Sequence, residues 1–264
     1  MADMILKRFL FFFIGLAPLV LWGCGTPSER ITGAHLDLLC SSRDSRAESM
    51  QAAADLFVEE VSSYLKLRPP AKKLEVMVFQ SGWAMRSYLG EHCPSKKNNG
   101  AACFETPNGY IIAVSRVWPE EETQRFLRHE LAHYVLASYF YDMPPWVDEG
   151  LALYFEAGKP FGSVNLQCAK VLKRSASRME DGVLEELVAL PAGENLTELQ
   201  YARSWGLVFF LLNSDQIGRE RLIHYLRVVR GGSDSRKYFR ESFEVWPSVM
   251  EGSWQAWIHT LPWE

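Results

Sequence analysis

Apolar positions follow two different periods along the chain. Runs rich in aliphatic, β-branched and aromatic residues predict strands at 35–40, 74–79 and 110–114. A spacing of three to four residues predicts helices at 47–67, 83–89, 119–140, 145–157, 179–190, 201–212 and 219–229, with a last one in the Trp-rich C-terminal stretch. Since the strands precede most of the helices, the pattern predicts an α+β fold.

Proline and glycine set the limits of the two central helices. Pro119 suits the first position of a helix, and the three glutamates that follow it favour the positive end of the helix dipole. Pro144 and Pro145 separate this helix from the next one, which Gly158 ends. These helices close a mixed lobe over 33–160, and a helical lobe follows over 161–264.

The N-terminus has the organisation of a secretory signal peptide. Lys7 and Arg8 precede an uncharged run over 9–22, which is shorter than the roughly 20 residues that span a bilayer. The sequence Leu21-Trp22-Gly23-Cys24 then resembles the lipobox of bacterial lipoproteins, although a small residue is usual at the position of Trp22. The alternative is an uncleaved signal anchor with an incidental cysteine.

The lipobox resemblance implies a processed, lipid-anchored protein. We expect a signal peptide over 1–23, lipid on Cys24, a polar tether over 24–32 and a folded domain over 33–264. Gly25 stands where an aspartate would signal retention in the inner membrane. The resemblance therefore implies a bacterial envelope protein at the outer membrane, facing the periplasm.

The four remaining cysteines lie in a chain predicted to enter an oxidising compartment, where disulfides are plausible. They allow three pairings, and sequence does not choose firmly among them. Cys93 and Cys103 flank a polar loop, which makes a bond between these two the favoured pairing. The absence of a C-x-x-C spacing argues against a zinc site built from cysteines.

Composition excludes one class of partner. The 264 residues are 48% hydrophobic and carry a net charge of −4, with scattered positive charges. Nucleic-acid binding requires clustered lysine and arginine, so we expect no nucleic-acid partner.

The predicted long helix contains the motif His129-Glu130-Leu131-Ala132-His133. Histidines four residues apart project from one helix face, with Cβ atoms about 6 Å apart, so both can bind one metal ion. Glu130 is rotated by about 100° from His129, which suits a base acting on a metal-bound water. The competing interpretation is an ordinary helix surface. The uncharged flanking residues argue against it, because buried polar groups are costly unless they are paired.

The next predicted helix carries Trp146-Val-Asp-Glu149-Gly-Leu-Ala-Leu-Tyr-Phe-Glu156. This segment resembles the second zinc-binding helix of gluzincin metallopeptidases, in which it follows an H-E-x-x-H helix. The overall likeness is greatest to the peptidase-MA-like domains of exported bacterial proteins. The resemblance implies a zincin-like fold and a Zn²⁺ held by His129, His133 and Glu149. It implies Glu130 as the general base and Glu156 as the carboxylate that orients a ligand histidine.

The same resemblance implies a donor to the reacting oxygen from the helical lobe. Tyr201 begins a Y-x-x-S segment similar to the one in peptidase-MA-like chains, and His224 is the alternative. The amine-capturing G-x-M-E-N segment of aminopeptidases is absent, so an endopeptidase acting on peptides or proteins is favoured. The strand over 110–114 is the expected partner of an extended substrate. Two other functions stay open: a non-catalytic binding or assembly lipoprotein, and a zinc amidase of cell-wall peptides.

Overall fold

The computed structural model describes residues 26–116, 119–176, 179–213, 217–229 and 234–262. The predicted signal peptide and the lipidation site Cys24 lie outside the described residues. None of the helices in the described ranges is long and apolar enough to cross a membrane.

Five strands form one mixed sheet in the order β1-β2-β3-β5-β4. The strands are β1 (Glu29–Thr32), β2 (Asp37–Cys40), β3 (Leu74–Phe79), β4 (Ala101–Thr106) and β5 (Gly109–Ser115). The central strands β2, β3 and β5 are parallel, while β1 and β4 are antiparallel edge strands. The β4–β5 hairpin turns at Gly109, whose φ of 135° disfavours other residues.

Ten α-helices lie within the described ranges, and they confirm the α+β prediction. They are α1 (Ser45–Tyr64), α2 (Gly82–His92), α3 (Glu120–Ala137), α4 (Pro145–Glu156), α5 (Leu166–Ala176), α6 (Val183–Val188), α7 (Glu198–Asn213), α8 (Gly218–Val228), α9 (Ser235–Phe243) and α10 (Pro247–Ile258). A short 3-10 helix over Pro94–Lys96 follows α2.

Most predicted elements are present, and the exceptions have physical reasons. The prediction of a polar tether over 24–32 is wrong for its last four residues, because residues 29–32 form β1 and pair with β2. Only Ile31 of this strand is buried, so the strand lacks the alternation of apolar and polar residues from which a strand is predicted. The predicted helix over 179–190 is shorter, since α6 begins only after Gly182, which has a φ of 86°. The individual elements β4, α5 and α9 were not predicted.

The sheet separates a large core from a small one. Helices α1 and α3 cover one face, and their apolar residues join those of the helical lobe in a continuous core. Helix α2 covers the other face over a smaller cluster that includes Met77, Phe79 and Met85. The site-bearing helix α3 is thus fixed between the sheet and the helical lobe.

The predicted Cys93–Cys103 disulfide is wrong, because both cysteines are free thiols. Cys103 lies on β4 and is buried in the large core, whereas Cys93 caps α2 and packs against the small cluster. The two side chains are therefore on opposite faces of the sheet. The positions of the two cysteines at the ends of a loop therefore did not bring their sulfurs together.

Helices α4 and α7 approach each other closely at Gly150. A Cβ atom there would lie 2.6 Å from the Ser204 carbonyl oxygen and 2.6 Å from Cγ2 of Val208. Only glycine fits at such a distance. This contact places Tyr201, one turn before Ser204 on α7, beside Glu149 on α4.

Candidate metal centre

Helices α3 and α4 bring three candidate metal ligands to one point. The Nε2 atoms of His129 and His133 are 3.2 Å apart, as their spacing of one helical turn predicts. Glu149 on α4 places Oε2 3.4 Å from Nε2 of His129 and 3.5 Å from Nε2 of His133. One ligand atom from each residue lies within 4.8 Å of the others, so the structure forms the cluster that the sequence predicted.

The dimensions of this triangle fit a tetrahedral metal ion. Ligand atoms about 2.0 Å from a tetrahedral metal lie about 3.3 Å from one another. The three observed separations, 3.2, 3.4 and 3.5 Å, surround that value. Glu149 Oε2 is also buried and has no hydrogen-bond partner among the described residues. An unpartnered buried carboxylate oxygen is costly, and a cation bound at this point would satisfy it.

Two further carboxylates hold the outer nitrogens of the histidines. Glu156 Oε2 lies 3.0 Å from Nδ1 of His129, in agreement with the sequence-based expectation for Glu156. Asp148 Oδ1 lies 2.9 Å from Nδ1 of His133. Each contact directs the imidazole so that its Nε2 atom faces the centre of the cluster.

Asp148 is the residue that sequence reasoning missed. It lies in the first turn of α4, where acidic residues are common because they interact favourably with the helix dipole. The available signal was its position directly before Glu149, on the helix that faces the two histidines.

Glu156 is itself held by three partners. Besides His129, its carboxylate accepts hydrogen bonds from Arg125 at 3.1 Å and from Asn165 at 2.8 Å. Its side chain is 4% exposed, so these donors compensate the burial of its charge. A second glutamate, Glu122, pairs with Arg125 at 2.9 Å. The orientation of His129 thus rests on an ionic network that is buried at Glu156 and partly exposed at Arg125 and Glu122.

The electrostatics of the cluster favour positive charge. Burial lowers the pKa of His129, but the nearby carboxylates of Glu149 and Glu156 outweigh this effect and raise the pKa to about 9. The pKa of His133 is likewise raised, since Asp148 and Glu149 outweigh burial. Burial raises the pKa of Glu149, and the two histidines more than reverse it, so this pKa is lowered. The carboxylates therefore create a site that stabilises a cation.

Glu130 follows His129 on α3 and points towards β4. Its Oε2 atom accepts a hydrogen bond of 2.7 Å from the backbone N–H of Cys103, and the residue is 8% exposed. Lys96 donates to the Cys103 carbonyl at 2.7 Å. One carboxylate oxygen of Glu130 is thereby fixed to the edge strand, next to the three candidate metal ligands.

Tyr201 on α7 adjoins the cluster at Glu149. Its hydroxyl is 3.5 Å from Oε1 of Glu149, a long hydrogen bond. Burial, followed by the charge of Glu149, raises the pKa of Tyr201 to about 12, which keeps the phenol protonated and able to donate. The alternative candidate His224 is exposed on α8 and lines neither of the cavities next to the cluster.

Two cavities of about 540 Å³ each adjoin the cluster, one lined by His129 and the other by His133 and Glu149. We call the first the His129 half; its lining includes Phe126, His129, Glu130, Leu153, Val171 and Tyr201. The second, the His133 half, is lined by Lys96, Tyr110, His133, Phe140, Tyr141 and Met143, among others. Strand β4 borders both, with Ala101 in the first and Cys103 to Glu105 in the second.

The expectation that β5 pairs with a substrate is wrong. Strand β5 lies between β3 and β4 and is hydrogen-bonded on both sides. The edge strand next to the candidate metal ligands is β4. Cys103 directs its N–H away from β5, so Ala101 and Glu105, two residues before and after it, face the same free edge.

A search of curated proteins found no match to the chain. A family model described as the Peptidase MA superfamily matches residues 72–260, from the start of β3 to the end of α10. Because this match covers well over half of the 264 residues, the chain belongs to the Peptidase MA superfamily.

Proposed function

We propose that the protein is a zinc-dependent endopeptidase of the gluzincin type. The observation that carries this proposal is the unpartnered Oε2 atom of Glu149, which faces the Nε2 atoms of His129 and His133 at metal-ligand separations. Two neutral imidazoles and one carboxylate are a ligand set that zinc uses in catalytic sites. The family match supports a peptidase, and the set of two histidines and one glutamate supports zinc as its metal.

Each residue around the cluster has a separate role in the proposed reaction. When bound, zinc supplies a Lewis acid that polarises the peptide carbonyl and lowers the pKa of water towards about 7. Glu130 accepts a proton from the attacking water and delivers it to the departing amine. Tyr201 donates a hydrogen bond to the oxygen on which negative charge develops. Asp148 and Glu156 hold the ligand histidines in place.

The cleft supports cleavage within a chain. The two cavities that adjoin the cluster leave space for substrate residues before and after the cut. Strand β4 offers main-chain groups along both, and an extended peptide adds to such an edge. The only cation described in the His129 half besides the histidine is Arg125, which is paired with Glu122 and Glu156. Among the described residues, the His129 half therefore has no unpaired cation that could bind the C-terminal carboxylate of a substrate.

Two alternatives predict other results. A non-catalytic binding module has no use for a base, yet Glu130 is held beside the cluster by Cys103. An amidase of cell-wall peptides shares the ligand set and differs in its substrate.

The decisive experiment is digestion of an unfolded protein by the zinc-loaded chain, followed by mass spectrometry of the products. Glu130→Gln keeps the shape of the side chain and removes the base, so we expect zinc binding without cleavage. Cleavage at the wild-type rate by this variant would refute the role of Glu130. Hydrolysis of cell-wall fragments without hydrolysis of proteins would favour the amidase.

We further propose that the mature chain is attached to a bacterial envelope membrane through lipid on Cys24, facing the periplasm from the outer membrane. The basic residues, apolar run and Leu-x-Gly-Cys sequence support this proposal. Cys24→Ser should abolish labelling by a radioactive fatty acid. Undiminished labelling of that variant would contradict lipidation at this residue.

A further inference from the structure

The His133 half has an aromatic wall that the proposed chemistry does not use. Tyr110 comes from β5, and Phe140, Tyr141 and Met143 come from the segment between α3 and α4. Tyr141 is 65% exposed although it is a large aromatic residue. Aromatic side chains in a cavity beside a reactive centre are surfaces for apolar groups of a ligand.

The segment that presents Tyr141 is held by a hydrogen bond just before this residue and has a defined turn just after it. The Tyr139 hydroxyl donates to the Arg68 carbonyl at 2.6 Å, which fixes the chain two residues before Tyr141. Asp142 directly after it has a φ of 50°, in the left-handed region that non-glycine residues rarely adopt. The exposed ring is therefore a positioned feature of the cleft.

The position of the base determines which part of a substrate reaches this wall. Glu130 and Tyr201 line the His129 half, and neither lines the His133 half. The departing amine belongs to the C-terminal side of the broken bond and must lie within reach of Glu130. In the proposed mechanism, residues before the cut therefore lie in the His133 half and residues after it lie in the His129 half. Strand β4 runs from Ala101 in the His129 half to Glu105 in the His133 half, so the substrate runs antiparallel to β4.

We propose that the His133 half is a specificity subsite for a peptide that carries an aromatic or large apolar side chain within two residues before the cut. Tyr141 supplies the ring against which that side chain packs. The free edge of β4 continues along this half through Glu105, which favours a peptide over a bare glycan as the occupant. This inference rests on the proposed peptidase function and specifies its substrate.

The test uses one peptide sequence with Phe, Leu, Ala or Glu at each of the two positions before a mapped cut. We expect wild-type kcat/KM to be about tenfold higher with Phe or Leu at one of these positions. Tyr141→Ala should raise KM for the Phe peptide by a factor of about 2 to 12, with kcat and zinc content unchanged. Tyr141→Phe should restore the wild-type KM, because it keeps the ring.

Trp83→Ala is the matched control. Trp83 is 66% exposed on α2 and lines neither half of the cleft, so its loss should leave KM unchanged. Equal KM values for Tyr141→Ala and wild type, or cleavage indifferent to the residues before the cut, would overturn the subsite.

Peptide binding to the zinc-loaded Glu130→Gln variant separates the two proposals. Fluorescence anisotropy should show tighter binding of the Phe peptide, and combining Tyr141→Ala with this variant should remove the preference. If the wild type does not cleave while this preference persists, the subsite stands and the peptidase proposal fails. If neither cleavage nor binding occurs, both fail. Tyr141-dependent binding of a cell-wall glycan, without binding of the peptides, would assign the wall to sugar rings and refute a peptide subsite.

Discussion

Asp148 holds His133 from α4 in the same way that Glu156 holds His129. The two carboxylate-to-Nδ1 distances are 2.9 and 3.0 Å, so each proposed ligand histidine has its own acidic partner from the helix that also supplies Glu149. Such partners fix the ring orientation and increase the basicity of the ligand nitrogen.

We therefore predict that Asp148→Asn weakens zinc binding by about 10- to 100-fold. The amide keeps the shape of the side chain but lacks the negative charge. Competition with a fluorescent chelator measures the affinity. Asp142→Asn is the control, because Asp142 lines the same cavity without a hydrogen bond to a ligand histidine. Equal affinities of the two variants would show that Asp148 does not orient His133.

Tyr201→Phe should lower kcat by about 10²–10³, the usual effect of losing one donor to the reacting oxygen. The phenol is protonated, because its pKa is raised to about 12, and the substitution removes only the hydroxyl. Zinc content and the thermal transition should not change. His224→Ala should retain wild-type activity, since His224 is exposed and outside the cleft. The reverse pattern would transfer the role to His224.

Gly150→Ala should reduce the free energy of unfolding by about 1–3 kcal/mol, the typical cost of overpacking. Its new methyl group would lie 2.6 Å from the Ser204 carbonyl and from Val208, where α4 meets α7. Gly252→Ala in α10 meets nothing within 4 Å and should stabilise by about 0.5–1 kcal/mol through helix propensity. Urea unfolding measures both. Equal effects of the two substitutions would contradict close packing at Gly150.

Thiol labelling of native protein should modify Cys93 and spare the buried thiols. Burial raises the pKa of Cys103 and, to about 12, that of Cys168, and both side chains are largely inaccessible. Cys40 is also buried. Peptide mapping without reduction, on a Cys24→Ser background, should recover all four as free thiols. A linked peptide containing Cys93 and Cys103 would contradict the placement of their side chains on opposite faces of the sheet.

The parts of the site that could be predicted are those fixed by helix geometry. His129 and His133 are one turn apart on the same helix, so their sequence spacing determines that they meet. That Glu149 reaches them was implied by resemblance alone, because it depends on the crossing of α3 and α4. The only signal for Asp148 was its position directly before Glu149, and an acidic residue in a first helical turn is common.

The parts of the fold that were missed depend on pairing between distant segments. Strand β1 is mostly polar and is defined by its hydrogen bonds to β2. Strand β5 lies inside the sheet because β4 pairs with it as a hairpin, and β4 was not predicted from the sequence. The disulfide prediction failed for the same reason, because the face occupied by Cys103 depends on the register of β4.

Glu149→Gln should remove the stabilisation of the fold by zinc. At a free zinc concentration about 100 times Kd, binding stabilises the native state by about 2.7 kcal/mol, which raises Tm by about 5–10 °C in a domain of this size. The wild type should show this shift and lose it when a chelator is added. The variant should show little shift, because the amide oxygen is neutral and the His129–His133 pair loses its carboxylate partner. Glu198→Gln is the matched control, since Glu198 is an exposed acid on the rim of the His129 half and should leave the shift intact. A full zinc-dependent shift in Glu149→Gln would show that zinc binds elsewhere, which would remove the basis of the proposed metal centre.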